Sequence, residues 1–202
     1  LNGTAAACER FFRLYHKHCV SPDRDTLFNY LNSVHSLNDK LNLNHQENFF
    51  EIEEFVALKA LRNLYHHQEE LINELKIIPV QELPPITTDL LYLCLVPRAL
   101  IEASIENISA RYRKDQEKMI RSILGWHGEV VNINPCIFNF SVKVFEKICD
   151  LGMDVSGEEF EEFKASYAYE NEWGHSHFVT GEIGCHSGSV DDVLRVAYGN
   201  VT

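Results

Sequence analysis

The stretch LLYLCLVPRALIEAS, residues 90–104, decides the fold class. Read as one helix kinked at Pro97, it adds to an otherwise helical chain. Read as a short strand that stops at Pro97 before a fresh helix, it brings in a sheet. Proline lacks an amide donor and its ring crowds the preceding turn, so a kink or a boundary must fall there. Helical periodicity on both sides favours the kink, and the expected apolar helix runs from Asp89 to about Arg113. The uninterrupted apolar run, 90–96, is far too short to cross a bilayer.

Towards the N-terminus, TAAACERFFRLYHKHCV (4–20) spaces Phe11, Leu14, Tyr15 and Cys19 as one apolar stripe, with Thr4 as the expected N-cap. The next segment, SPDRDTLFNYLNSVHSLNDKL (21–41), repeats Leu27, Leu31, Val34 and Leu37 at helical steps after a Ser21-Pro22 start signal. A third helix is expected over roughly 46–76, on Phe49, Ile52, Phe55, Val56, Leu61, Leu64, Leu71 and Leu75. Its first turns hold Glu47, Glu51, Glu53 and Glu54, which suit the positive end of the helix dipole. Three prolines in IIPVQELPPIT (77–87) then end it in a loop.

Towards the C-terminus, RKDQEKMIRSILGW extends or restarts a helix up to Gly125, and HGEVVNINPC reads as a loop. Helices are expected at 137–150, at 157–170 with Ser156 and Glu159 as a capping pair, and at 189–197. The expectation is an all-α bundle over 1–125, with an acidic, helical and loop-rich extension over 126–202 packed on it.

Composition narrows the function classes. Of 202 residues, 45% are hydrophobic and 24% charged, ordinary for a globular chain. The six cysteines form no C-x-x-C pair and read as small hydrophobes in a reducing compartment, so a cytoplasmic protein is expected. The triplets at Asn2, Asn107, Asn139 and Asn200 that match a glycosylation pattern are taken as chance in so Asn-rich a chain. The first residues, LNGTAAACERFF, hold no basic region followed by an apolar run, so no leader is expected in them. Net charge is −12, and residues 126–202 carry four Lys/Arg against thirteen Asp/Glu. Such acidity disfavours broad, non-specific nucleic-acid binding, which draws on cationic contacts to phosphate. It leaves room for a local site.

One local site is suggested by FVALKALRNLYHHQEEL, residues 55–71. On a helix turning about 100° per residue, Arg62 aligns with His66 and Asn63 with His67. The result is a compact polar patch holding a fixed cation, an amide and imidazoles that titrate near neutrality. Those groups suffice to cleave RNA without a metal. Imidazole can take the 2′-hydroxyl proton or return one to the leaving 5′-oxygen. Guanidinium can stabilise the charge that builds on the phosphorane. Against this stands surface decoration or capping, the commoner use of such residues on a helix.

The motif Arg62-Asn63-x-x-x-His67 resembles the signature of the HEPN superfamily (higher eukaryotes and prokaryotes nucleotide-binding domains), an Arg, a polar residue, a short spacer and a His. The resemblance covers about residues 1–125. It implies a HEPN-like helical bundle, a metal-independent endoribonuclease with no cofactor, and a site shared by two protomers. It further implies a role in toxin–antitoxin, phage-defence or RNA-processing systems, with an antitoxin or regulatory protein as partner. By that resemblance Arg62 and His67 are catalytic and Asn63 assists; His66 stands beside them as base or spare. Gln68, Glu69 and Glu70 follow where some HEPN toxins carry a modifiable tyrosine.

RYRKDQEKMIR (111–121) is the one dense basic stretch, and Arg111, Arg113, Lys114, Lys118 and Arg121 are the candidate RNA-backbone contacts. Tyr65 and Tyr112 are candidate stacking platforms for a base. His175, His177, Cys185 and His186 are zinc-ligand types, but their spacing matches no common zinc module, and no metal is expected. Acidic SGEEFEEF (156–163) reads as a solvated helix face.

Overall fold

The computed structural model describes residues 3–67 and 75–199, and of His67 the backbone alone. The fold is mostly helical, with a small antiparallel sheet. Helices α1 (Gly3–Val20), α2 (Arg24–His45) and α3 (Glu53–His67) come first. Strands β1 (Lys76–Pro79), β2 (Ile86–Thr87) and β3 (Tyr92–Pro97) follow, then α4 (Arg98–Glu106) and α5 (Ala110–Ile123). A hairpin of β4 (Gly125–His127) and β5 (Val130–Asn132) leads into α6 (Asn134–Asp150) and α7 (Glu158–Trp173). Strand β6 (Gly184–Cys185) and the short α8 (Val190–Val193), which runs on as a π-turn over Leu194–Tyr198, complete the described chain.

The mostly helical expectation holds, but the helix kinked at Pro97 is not there, and a small antiparallel sheet is added to the helices. Residues 92–97 form the central strand of a sheet ordered β1-β3-β5-β4, every neighbour antiparallel. Its side chains are buried on both faces. Tyr92, Cys94 and Val96 join the main core, whereas Leu93 and Leu95 join a second cluster with Ile78, Leu90 and Val130. A strand buried on both sides shows no alternation, so its apolar run looks like a buried helix. Pro97 marks the boundary: its backbone is extended, and Arg98 begins α4 with its amide donating to the Glu129 carbonyl at 2.7 Å.

Other boundaries also moved. The third helix begins at Glu53, because residues 47–52 make turns fixed by the Phe49 amide on Asn38 Oδ1 (3.0 Å). Its expected continuation over 68–74 lies outside the described residues, and at its expected end Lys76 opens strand β1 instead. Residues expected as a loop, HGEVVN, form the β4–β5 hairpin around Gly128, whose φ of 60° suits a two-residue turn. Asp23, not Ser21, caps α2, in a reciprocal box with Thr26 (2.7 and 2.9 Å). Thr4 lies inside α1, where its hydroxyl accepts from Asn44 (2.8 Å). Ser156 does not cap α7; it donates to the Glu9 carboxylate at 2.9 Å.

The core centres on α6, a helix from the acidic third. Its Phe140 ring lies 5.2 Å from Phe49, 5.9 Å from Phe55 and 6.1 Å from Phe11. Tyr30 Oη reaches the same helix, donating to the Ile137 carbonyl or sharing a proton with Ser141. The final segment is stapled across the fold. Asn139 pairs with the Val179 backbone in both directions at 2.9 Å, and Asp89 accepts from the Thr180 and Gly181 amides. Gly181 has a φ of 72°, and a Cβ there would sit 2.3 Å from Pro135 Cγ, so glycine is needed for this docking.

His18 is fully buried, its Nδ1 2.9 Å from Thr26 Oγ1, while Nε2 has no partner among the described residues. Burial pushes the imidazole down from 6.5 to about 4. The folded state therefore holds His18 neutral, and the unfolded chain takes up the proton first as pH falls. Its stability contribution is complete above about pH 6.5 and is lost as pH drops towards about 4, a loss of roughly 3 kcal/mol. Urea unfolding across that window should show a pH slope that His18→Gln flattens.

Candidate functional site

Helix α3 divides cleanly into two faces. Ala57, Leu58, Leu61, Leu64 and Tyr65 are buried, while Lys59, Arg62 and Asn63 are half-buried and His66 is exposed. The polar set recurs at three- and four-residue steps, so it lies on one side of the helix. Packing of the apolar face against α2, α5 and α6 fixes the direction in which this set points.

Arg62 is held rather than loose. Its Nε donates to Asn32 Oδ1 on α2 at 3.1 Å and its Nη1 to Asn63 Oδ1 at 3.4 Å. Two amide oxygens thus set the plane of a guanidinium, the kind of preorganisation that phosphate recognition requires. His66 stands one turn further along the same face. The His67 side chain lies outside the described residues.

Beside Asn63 opens a cleft of about 170 Å³ between α3 and the α4–α5 turn, lined by Lys59, Asn63, Asn107, Ser109, Tyr112 and Gln116 among others. Lys59 sits 4.4 Å from the Phe50 ring centroid, and partial burial holds its ammonium below the usual lysine range, with Asp39 acting in the opposite direction. The cleft therefore offers amides, hydroxyls, one cation and one aromatic ring.

The basic stretch on α5 is smaller than its composition suggests. Arg113 donates from Nε and Nη2 to the Ile108 carbonyl and from Nη2 to Glu106, closing the end of α4. Arg121 pairs with Glu102 (2.7 Å) and Glu117 (2.8 Å) and lies over Trp126. The Arg121 hydrogen bond, with Arg98 3.5 Å away adding to it, holds Glu102 below its ordinary carboxylate range. Arg113 and Arg121 are thus structural residues. Arg111, Lys114 and Lys118 remain exposed to solvent.

Tyr65 is also corrected. At 2% exposure its ring belongs to the core and cannot stack on a base. Tyr112, 51% exposed with the Arg111 guanidinium 5.2 Å from its ring, is the aromatic group beside Asn63. Tyr65 follows Leu64 in the apolar stripe, which was the signal for burial. Lys59, Asn107 and Gln116 carried no such signal, because the cleft joins elements distant in sequence.

The C-terminal histidines are not gathered around a metal. His177 has both ring nitrogens engaged, Nδ1 with Glu170 (2.6 Å) and Nε2 with Asn171 (3.0 Å), and stacks on Tyr167 at 3.6 Å. Cys185 is exposed in β6, paired with Ile86. Among the described residues no three His, Cys, Asp or Glu side chains are grouped to hold an ion, and no helix is long and apolar enough to cross a membrane.

Comparison with protein-family models, with curated proteins and with solved structures returns no match.

Proposed function

We propose that the α3 patch is the active site of a metal-independent endoribonuclease of HEPN type. The observation that supports this most is the fixed Arg62 guanidinium, braced by Asn32 and Asn63, with His66 one turn away and His67 next in the motif. In the proposed reaction an imidazole removes the 2′-hydroxyl proton and the 2′-oxygen attacks phosphorus. The bond to the 5′-oxygen breaks as a second imidazole protonates it. Products are a 2′,3′-cyclic phosphate and a 5′-hydroxyl. Arg62 would neutralise charge on the phosphorane, and the Asn63 cleft would hold an adjoining nucleotide.

One imidazole face per chain supplies base or acid, not both, so the working unit is proposed as a homodimer with two motifs facing one scissile phosphate. A cytoplasmic toxin or defence system, with an antitoxin or regulator, is the setting this reading implies. The test is incubation of labelled RNA in chelator with wild type and with His67→Ala. Cleavage by the first and none by the second is expected; loss in His66→Ala alone would exchange the roles of the two histidines.

A second reading, a non-cutting RNA- or nucleotide-binding module, is favoured by the loss of Arg113 and Arg121 to structural contacts in a chain of net charge −12. Both readings route RNA along Arg111, Lys114 and Lys118. Reversing charge at Lys114 and Lys118 should weaken RNA binding about tenfold or more at low salt and flatten its salt dependence. The rate at saturating RNA should be nearly unchanged under the first reading. Wild-type affinity and salt slope would show that these lysines do not contact RNA.

A further inference from the structure

The cleft beside Asn63 draws its polar walls from three parts of the fold. Asn63 comes from α3, and Asn107 and Ser109 from the α4–α5 turn. Tyr112 and Gln116 stand one turn apart on α5, in step with Ile120, which that helix buries. The volume of about 170 Å³ falls below the range of about 300–1,000 Å³ for sites that enclose a whole organic ligand. It suits one planar ring system with the remainder of the molecule outside. No carboxylate is among the lining residues. The one lining cation, Lys59, has its ammonium over the ring of Phe50, which is not a wall of the cleft.

The three carboxamides differ in what they have left to offer. Asn63 Oδ1 accepts from Arg62 Nη1, so the Asn63 NH2 is its free end. The side chains of Asn107 and Gln116 make no hydrogen bond among the described residues, so each offers a donor beside an acceptor. Adenine presents the complementary pair on two edges, N6–H with N1 and N6–H with N7. Uracil and cytosine present such a pair on one edge only. Guanine has two acceptors, O6 and N7, on one edge, which suit a cation. On the other it has two donors, which suit a carboxylate. The aromatic wall is Tyr112, 51% exposed and open to stacking.

We propose that this cleft is a base-reading subsite. It takes the adenine of the nucleotide next to the phosphate held by Arg62, stacked on Tyr112, with Gln116 and Asn107 at its edges. Asn63 joins the two positions, its oxygen committed to Arg62 and its NH2 available to the nucleotide. This assignment rests on RNA being the ligand of the α3 patch, whether or not it is cut there, and adds which nucleotide is selected.

Fluorescence anisotropy with labelled 2′-O-methyl pentanucleotides UUXUU, where X is A, G, C or U, tests it. These probes lack the attacking 2′-hydroxyl, so binding is read separately from cleavage. The adenine probe should bind about tenfold or more tightly than the other three. Replacing both Gln116→Leu and Asn107→Leu should bring it down to their level and barely change theirs. Neither side chain has a hydrogen-bond partner to lose, and circular dichroism checks the fold. Tyr112→Ala should weaken all four probes alike, and Tyr112→Phe should not, because stacking is indifferent to base identity. Equal binding of the four, or an adenine preference that survives the double substitution, would overturn the subsite and leave RNA binding by the patch standing. Absence of binding by all four would overturn it together with RNA as the ligand. Adenine preference without cleavage of unmodified UUAUU would uphold the subsite and count against the ribonuclease reading alone.

Discussion

Alanine at position 62 is expected to lower RNA cleavage by about two to three orders of magnitude, the scale seen when one donor to a developing oxyanion is removed. Stability should fall by only about 1 kcal/mol, because the two bonds lost run to half-buried amides that water can reach. Lysine at 62 should restore little activity, since a point charge cannot reproduce a guanidinium plane set by Asn32 and Asn63. Asn32→Ala removes one brace and leaves the motif intact, so it should cost activity while sparing every residue of the Arg-Asn-x-x-x-His signature. Thermal melts and cleavage rates on the same preparations separate these effects. Equal rates for wild type and Arg62→Ala would remove the guanidinium from the mechanism.

The largest effect on stability is expected at Lys143. Its ammonium lies 2.7 Å from both oxygens of Glu54, which is 2% exposed, whereas Lys143 itself is 34% exposed. Lys143→Met would leave a buried carboxylate without its counter-charge, at a cost of about 3–5 kcal/mol. Adding Glu54→Leu to that variant should recover most of the loss, because an apolar pair of similar size needs no desolvated charge. Denaturant unfolding of the two variants measures both steps. The pair ties the first turn of α3 to α6, so the single variant should also loosen the helix that carries the site. Unaltered stability in Lys143→Met would mean that the pair is solvated in solution.

What the residues disclosed depended on how many faces of an element are buried. Helices α1, α2, α6 and α7 each bury one side, and the three- and four-residue spacing of residues such as Leu27, Leu31 and Val34 exposes that directly. Strand β3 buries both sides, so Tyr92–Val96 has no polar alternation to announce it, and only Pro97 marked the boundary. Strands β4 and β5 are three residues each, too short to carry a period. At the site, the polar face of α3 was visible because the helix imposes its geometry on Arg62, Asn63 and His66. The brace from Asn32 and the cleft wall from Asn107, Tyr112 and Gln116 come from other helices, and no local spacing reports them. Counting cations likewise overstated α5, since Arg113 and Arg121 are spent on the Ile108 carbonyl and on Glu102.

The most direct measurement is the chemistry of the cut ends. Purified protein is incubated with end-labelled single-stranded RNA in excess chelator, and the products are resolved before and after treatment with phosphatase and kinase. Metal-independent transesterification predicts 5′-hydroxyl ends that kinase labels at once, and 2′,3′-cyclic phosphates that resist phosphatase until opened by acid. Intact RNA under these conditions, or ends bearing 5′-phosphate and 3′-hydroxyl, would contradict it.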